Sequence, residues 1–198
     1  MEKNKIDISS TAIEKGIDLV KDLLDKLVGS SIEETGLLFS DRIKSIRVKY
    51  QIKSLVKAQN LIKEHNIKVK PIALKNLVPL LELSSLEEEE TLQEKWANMI
   101  VNFSDSNSKY ESSIYPFILS QISKDEILEI ERIKEIKTIN EADLKITNID
   151  ISNLIRLGLL AREISEGGFV FMDEEIPPIY YSITELGDNF VKCCAIKK

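Results

Sequence analysis

Asn153-Leu154-Ile155-Arg156-Leu157-Gly158-Leu159-Leu160, followed further on by Tyr181-Ser182-Ile183-Thr184-Glu185-Leu186-Gly187, is the stretch on which the fold turns. The first part reads as an apolar helix from Ile149 to Leu157 closed by a glycine. The second reads as a strand, Tyr180 to Ile183, running into a helix opened by Thr184 and Glu185. Between them, Ala161 to Ile164 and Phe169 to Met172 alternate as two wing strands around a Gly167-Gly168 turn, and Pro177-Pro178 interrupts before the last strand. Helix, hairpin, strand and capped helix together predict a winged-helix-like α+β domain over residues 138–198.

A winged helix suggests DNA, but the charges of this one oppose it. From Thr138 onward there are six Lys and Arg against ten Asp and Glu, and the wing from Glu163 to Ile179 holds five acids and no base. Ion release from phosphates needs cations, so an acidic module is a poor fit to a nucleic acid backbone. The module therefore reads first as a protein-contact or dimerisation element.

Upstream, residues 1–137 read as a helical domain. Ser9-Ser10-Thr11 with Glu14 is a capping-box pattern, and Ala12, Ile13, Ile17, Val20, Leu23, Leu24, Leu27 and Val28 follow at helical spacing up to Gly29. From Ser31 to about His65 no proline intervenes and Gly36 is the one weak point. That predicts a long central helix, or two joined at a kink, stopped by Asn66 and Pro71. Shorter helices are expected from Leu74 to Leu83, around Pro79, and from Ile114 to Ile122. Another runs through Trp96, Ile100 and Phe103 after the acidic turn Glu87 to Glu90. Ser123-Lys124-Asp125-Glu126 caps a further helix carrying Ile127, Ile130, Ile133 and Ile136. The fold class is thus mainly α, with a small α+β domain at the end.

In the later part of the central helix, Ile43, Ile46, Tyr50 and Leu61 form one apolar flank, and Val48, Ile52, Leu55 and Ile62 the other. Between the flanks runs a ridge of Arg42, Lys49, Lys53, Lys57 and Lys63. Arg42 to Lys75 contains ten bases and the single acid Glu64, in a chain whose net charge is −6. Lysines without glutamates at i+4 are unusual on a merely solvated helix face. The ridge is the candidate interaction surface. It could neutralise the Glu87 to Glu90 turn within the molecule, contact nucleic acid, or meet an acidic partner or anionic lipid. The glutamate turn has its own local explanation, since acids in a first turn face the positive end of the helix dipole.

Residues for catalysis or cofactor binding are sparse. The seven glycines form no phosphate-cradling loop. The single histidine, His65, sits at an expected helix end rather than beside a nucleophile, and no carboxylate pair is singled out by spacing. The two cysteines are adjacent, Cys193-Cys194, which suits neither a relaxed disulfide in a helix nor a metal site. One thiol is expected to face the core and the other the surface. Trp96, in phase with Met99, Ile100 and Phe103, has the spacing of a core anchor. No catalytic residue, cofactor or metal is expected. The start Met1-Glu2-Lys3-Asn4-Lys5 has no signal-peptide pattern, and no window reaches the ~18 apolar residues of a membrane span. A cytoplasmic protein with reduced thiols is the expectation.

With the elements placed, the order of motifs resembles the abortive infection alpha family of bacterial proteins. The resemblance runs through Gly36-Leu37-Leu38 and the basic helix after it, Ile72-Ala73-Leu74-Lys75, and Leu77-Val78-Pro79-Leu80-Leu81-Glu82. It continues in Ser85-Leu86-Glu87, Leu92-Gln93-Glu94-Lys95-Trp96-Ala97-Asn98-Met99-Ile100 and Tyr115-Pro116-Phe117-Ile118-Leu119-Ser120-Gln121-Ile122-Ser123. Asn153 to Leu160 and Tyr181 to Phe190 close it, and the Gln-Glu-Lys-Trp-Ala-Asn block is its most specific piece. The resemblance implies defence against bacteriophage, in which an infected cell stops growing or dies before progeny mature. It carries over no active site, and such a role fits an oligomer acting through protein contacts. Two readings of other classes stay open: a DNA-binding transcriptional regulator using the ridge and the winged helix, and a toxin enzyme with a carboxylate site assembled from distant residues.

Overall fold

Helix α1, Ser10–Val28, buries Val20, Leu23, Leu24 and Leu27, the i, i+3, i+4, i+7 stripe of its sequence. The computed structural model describes residues 10–28, 46–163 and 178–196. The expected cap at Ser9, the stretch from Ser31 to Ser45 and the outer wing, Gly167-Gly168 and Phe169 to Met172, lie outside these residues.

The described part of the central helix is α2, Ile46–Glu64. Its end is chemically specified. Asn66 takes a left-handed φ of 51°, which its short amide side chain tolerates. The Ile67 N–H reaches back to the Ile62 carbonyl at 3.0 Å and the Asn66 N–H to Lys63 at 3.4 Å. That pair of bonds satisfies carbonyls which the helix leaves open. Of the two apolar flanks read from the sequence, Leu55 belongs to the buried face of α2, which otherwise runs through small and polar residues. Gln51, Ser54, Leu55 and Ala58 are fully covered, while Ile52, Leu61 and Ile62 are half-buried. Small side chains at 54 and 58 allow close helix approach, and the Gln51 amide donates to the Leu81 carbonyl at 3.0 Å.

Three more helices belong to this unit: α3, Leu74–Ser84, with Pro79 inside it; α4, Glu90–Ser104; and α5, Tyr115–Leu119. Helix α2 packs against α1, α3 and α4. Trp96, Met99, Ile100 and Phe103 of α4 are all fully buried, as their spacing indicates. An antiparallel bridge between Val69 and Asp105 ties the segment after α2 to the end of α4.

A second unit follows. Helix α6, Lys124–Ile136, opens with the expected capping box, in which Ser123 Oγ accepts from Glu126 N–H and the Glu126 carboxylate from Ser123 N–H. Strand β1, Thr138–Asn140, a 3₁₀ turn at Glu141–Asp143, helix α7, Asn148–Arg156, strands β2, Leu160–Glu163, and β3, Tyr180–Ile183, and helix α8, Glu185–Cys193, come next along the chain. The sheet is antiparallel in the order β1-β3-β2, with Ile139 opposite Tyr181 and Leu160 opposite Ile183. Gly158 ends α7 at φ 73°, and the Leu159 N–H bonds back to Leu154 at 2.9 Å. The chain thus forms a mainly helical fold with a small three-stranded sheet.

Its two compact units are residues 1–120 with 193–198, and residues 121–192. The periodicity of the sequence changes near Thr138, but α6 packs against β1 and β3 and so groups with the sheet.

Within the second unit Glu129 is buried and receives the Arg132 Nε–H at 2.9 Å, a second Arg132 N–H, and the Lys145 backbone N–H at 3.0 Å. The Arg132 hydrogen bonds, reinforced by Lys145, hold its carboxyl below the usual glutamate value of 4.5 against the opposing effect of burial. A carboxyl depressed on folding contributes stability above its unfolded pKa and loses it as pH falls through the folded one. Stability of this unit is therefore expected to drop below about pH 4.5. Glu129→Gln should destabilise by about 1–3 kcal/mol at neutral pH and flatten that acid dependence, as read by urea unfolding at several pH values.

Candidate functional site

The basic ridge lies on the side of α2 opposite the Gln51, Ser54, Leu55 and Ala58 stripe, a consequence of about 100° per residue along the helix. Lys49 and Lys53 are half-exposed, and both place their ammonium groups over the Tyr50 ring, at 5.4 Å and 5.7 Å from its centroid. The ring quadrupole attracts the two cations and keeps them close together despite their repulsion. Lys63 is exposed in the last turn, where a cation suits the helix dipole. Arg42 lies outside the described residues.

Lys57 differs from its neighbours. Its side chain is 28% exposed, and its Nζ stands 3.5 Å from Glu90 Oε1 and 3.9 Å from Glu94 Oε1. The two carboxylates are 82% and 62% exposed, so the pairings are worth about 0–1 kcal/mol each. One ridge lysine is thus engaged inside the molecule by the start of α4, an arrangement that only tertiary packing creates.

The glutamate turn itself is a helix start. Glu87 Oε1 accepts the Glu89 N–H at 3.0 Å, and Glu89 Oε2 accepts the Leu92 N–H at 2.9 Å, capping α4. Gln93, buried, donates to the Glu87 carbonyl at 2.9 Å. Glu88 and Glu90 remain exposed.

Asn98 and Asn102 carry a role that their sequence positions do not signal. Asn98 Nδ2 donates to the Cys194 carbonyl at 2.9 Å, and Asn102 Nδ2 reaches the carbonyls of Cys193 and Ala195, both at 2.9 Å. They satisfy backbone acceptors at the end of α8, within the first unit. Four residues of the Gln-Glu-Lys-Trp-Ala-Asn block are architectural: Gln93 holds the loop before α4, Trp96 and Ala97 fill the core, and Asn98 holds the returning chain.

Both cysteines are fully buried, which corrects the expectation that one faces the surface. Burial, with the neighbouring Cys194 and Glu111, raises the Cys193 thiol well above its ordinary 9.0 and keeps it protonated. Burial likewise raises Tyr115, beside the two thiols. Nearby, Glu111 receives Lys70 Nζ at 3.1 Å and Asn76 Nδ2 at 2.7 Å. His65 is exposed and lines a cavity of about 510 Å³ with Asn102, Asp105 and Lys109. Among the described residues, no three His, Cys, Asp or Glu side chains gather as a metal site would require.

In the second unit, α7 buries Ile151 and Leu154 and leaves Ile149, 81% exposed, and Ile155 on its outer side. Its one cation, Arg156, is held by Gln121 Oε1 at 3.0 Å and Asn153 Oδ1 at 2.7 Å. Among the described residues no helix is long and apolar enough to cross a membrane.

Comparison with known proteins adds one relationship. Searches of the curated proteins and of the solved structures each returned no match. The family model for abortive infection alpha matches residues 43–194, from the basic helix through the sheet to the buried cysteines. With most of its length covered, the chain belongs to the abortive infection alpha family.

Proposed function

We propose that the protein serves bacterial defence against phage by abortive infection, acting in the cytoplasm through protein contacts rather than catalysis. Family membership carries this reading. The ridge on α2 is the contact surface, with Lys49 and Lys53 as its available cations and Lys57 partly committed to Glu90 and Glu94. The second unit acts as a winged-helix-like module. Supporting this are its sheet order β1-β3-β2 and the placement of α7 directly before β2. In a DNA reader the helix at α7 would present cations to the groove. Here it presents Ile149 and Ile155, and its arginine is occupied, which favours a protein partner over the regulator reading.

Plaque formation by a phage panel on cells expressing the wild type or the Lys49→Glu/Lys53→Glu variant tests the proposal. Protection accompanied by death of infected cells is expected for the wild type, with at least a tenfold loss of protection in the variant at equal abundance. Lys57 is left intact so that the fold is not perturbed. Absence of protection across the panel would overturn the defence role, and undiminished protection in the variant would overturn the role of the ridge.

A further inference from the structure

The ridge and the glutamate turn are neighbours of opposite sign on one face of the first unit, and their common edge is Lys57 with Glu90 and Glu94. Neither strip is neutralised by the other. Among the described residues Lys49 and Lys53 form no ion pair, their ammonium groups resting on Tyr50. Across the edge, Glu90 and Glu94 share the Lys57 ammonium, and Glu88, two residues before Glu90 in the same turn, is exposed. Leu86, 55% exposed, immediately precedes the acidic turn.

Adjacent strips of opposite charge are self-complementary under a twofold rotation, because the rotation lays each strip on the opposite strip of the other copy. We propose that this face binds a second copy of the same chain, with Lys49 and Lys53 of each protomer meeting Glu88 and Glu90 of its partner. The proposal rests on reading the ridge as a protein-contact surface and names the partner. A nucleic acid or anionic membrane fits the face less well. Phosphates following the ridge would pass the carboxylates of Glu90 and Glu94, and like-charge repulsion would offset the attraction of the lysines. A second copy turns those same carboxylates into attractive groups. Being isologous, the contact closes as a dimer rather than extending into a filament.

Sedimentation velocity across protein concentrations, at about 50 mM and about 500 mM salt, reads the contact, since exposed charge pairs are screened at the higher value. The wild type should dimerise at low salt and dissociate at least tenfold more readily at high salt. Lys49→Glu/Lys53→Glu and Glu88→Lys/Glu90→Lys should each be monomeric while retaining the wild-type circular dichroism spectrum. Mixed in equal amounts, the two variants should form a heterodimer, because both halves of the twofold contact become complementary again. A wild type that stays monomeric, a dimer indifferent to salt, or variants that fail to restore each other would overturn the proposal. A monomeric wild type that still protects cells through Lys49 and Lys53 would overturn only this contact and leave the defence reading standing. A charge-dependent dimer that gives no protection would uphold the contact and remove that reading.

Discussion

Gly187→Ala is expected to destabilise the second unit by about 3 kcal/mol or more, the upper part of the range for overpacking against an unyielding neighbour. A Cβ at this position would lie 2.3 Å from the Leu159 carbonyl oxygen and 2.9 Å from Ile183 Cγ1. The obstacle is backbone, and that backbone is tied in place. The Leu159 carbonyl accepts the Thr184 N–H at 3.1 Å, and Thr184 Oγ1 donates to the Gly158 carbonyl at 2.6 Å while accepting the Gly187 N–H at 2.9 Å. The helix start, the strand start and the turn at Gly158 therefore cannot part independently. Helix propensity alone would make alanine better by about 1 kcal/mol, so the sign of the change decides between local and tertiary control. Urea unfolding of the variant measures it. Stabilisation would show that α8 does not approach Leu159 this closely.

Trp96→Ala should cost about 3–5 kcal/mol, the range for removing a fully buried large aromatic side chain. Trp96 is 0% exposed, and Leu92, Met99, Ile100 and Phe103 of the same helix are buried with it. Its indole Nε1 is buried and has no hydrogen-bond partner among the described residues. An unmatched buried donor carries a desolvation cost of about 1–3 kcal/mol, so Trp96→Phe should lose markedly less than the alanine variant. Unfolding midpoints of the two variants against the wild type test both statements. A loss below ~1 kcal/mol for alanine would place Trp96 at the surface.

Elements governed by neighbours along the chain are legible in the amino-acid sequence. Ser123 and Glu126 make a capping box, Asn66 stops α2, Gly158 closes α7, and Tyr180 to Ile183 form a strand, because each depends on bonds spanning only a few residues. Trp96 reads as core because its helical phase matches Met99, Ile100 and Phe103. The ridge is visible as a charge imbalance, but the different situation of Lys57 is not, since Glu90 and Glu94 belong to another helix. Hydropathy places the buried face of α2 on its apolar flanks, and Leu55 of one flank is indeed covered. Packing adds Gln51, Ser54 and Ala58 to that face, where a hydrogen bond to Leu81 and small side chains suit close neighbours.

Helix phase, caps, stops and the charge of each segment follow from residue chemistry and backbone geometry over a turn or two, where the chain leaves few alternatives. The burial of both cysteines, the hold of Asn98 and Asn102 on the carbonyls of Cys193 to Ala195, the bar on a side chain at Gly187 and the meeting of lysine and glutamate strips arise only on folding. Each requires a partner far away in sequence, and a one-dimensional pattern records which groups need partners without recording which distant groups supply them.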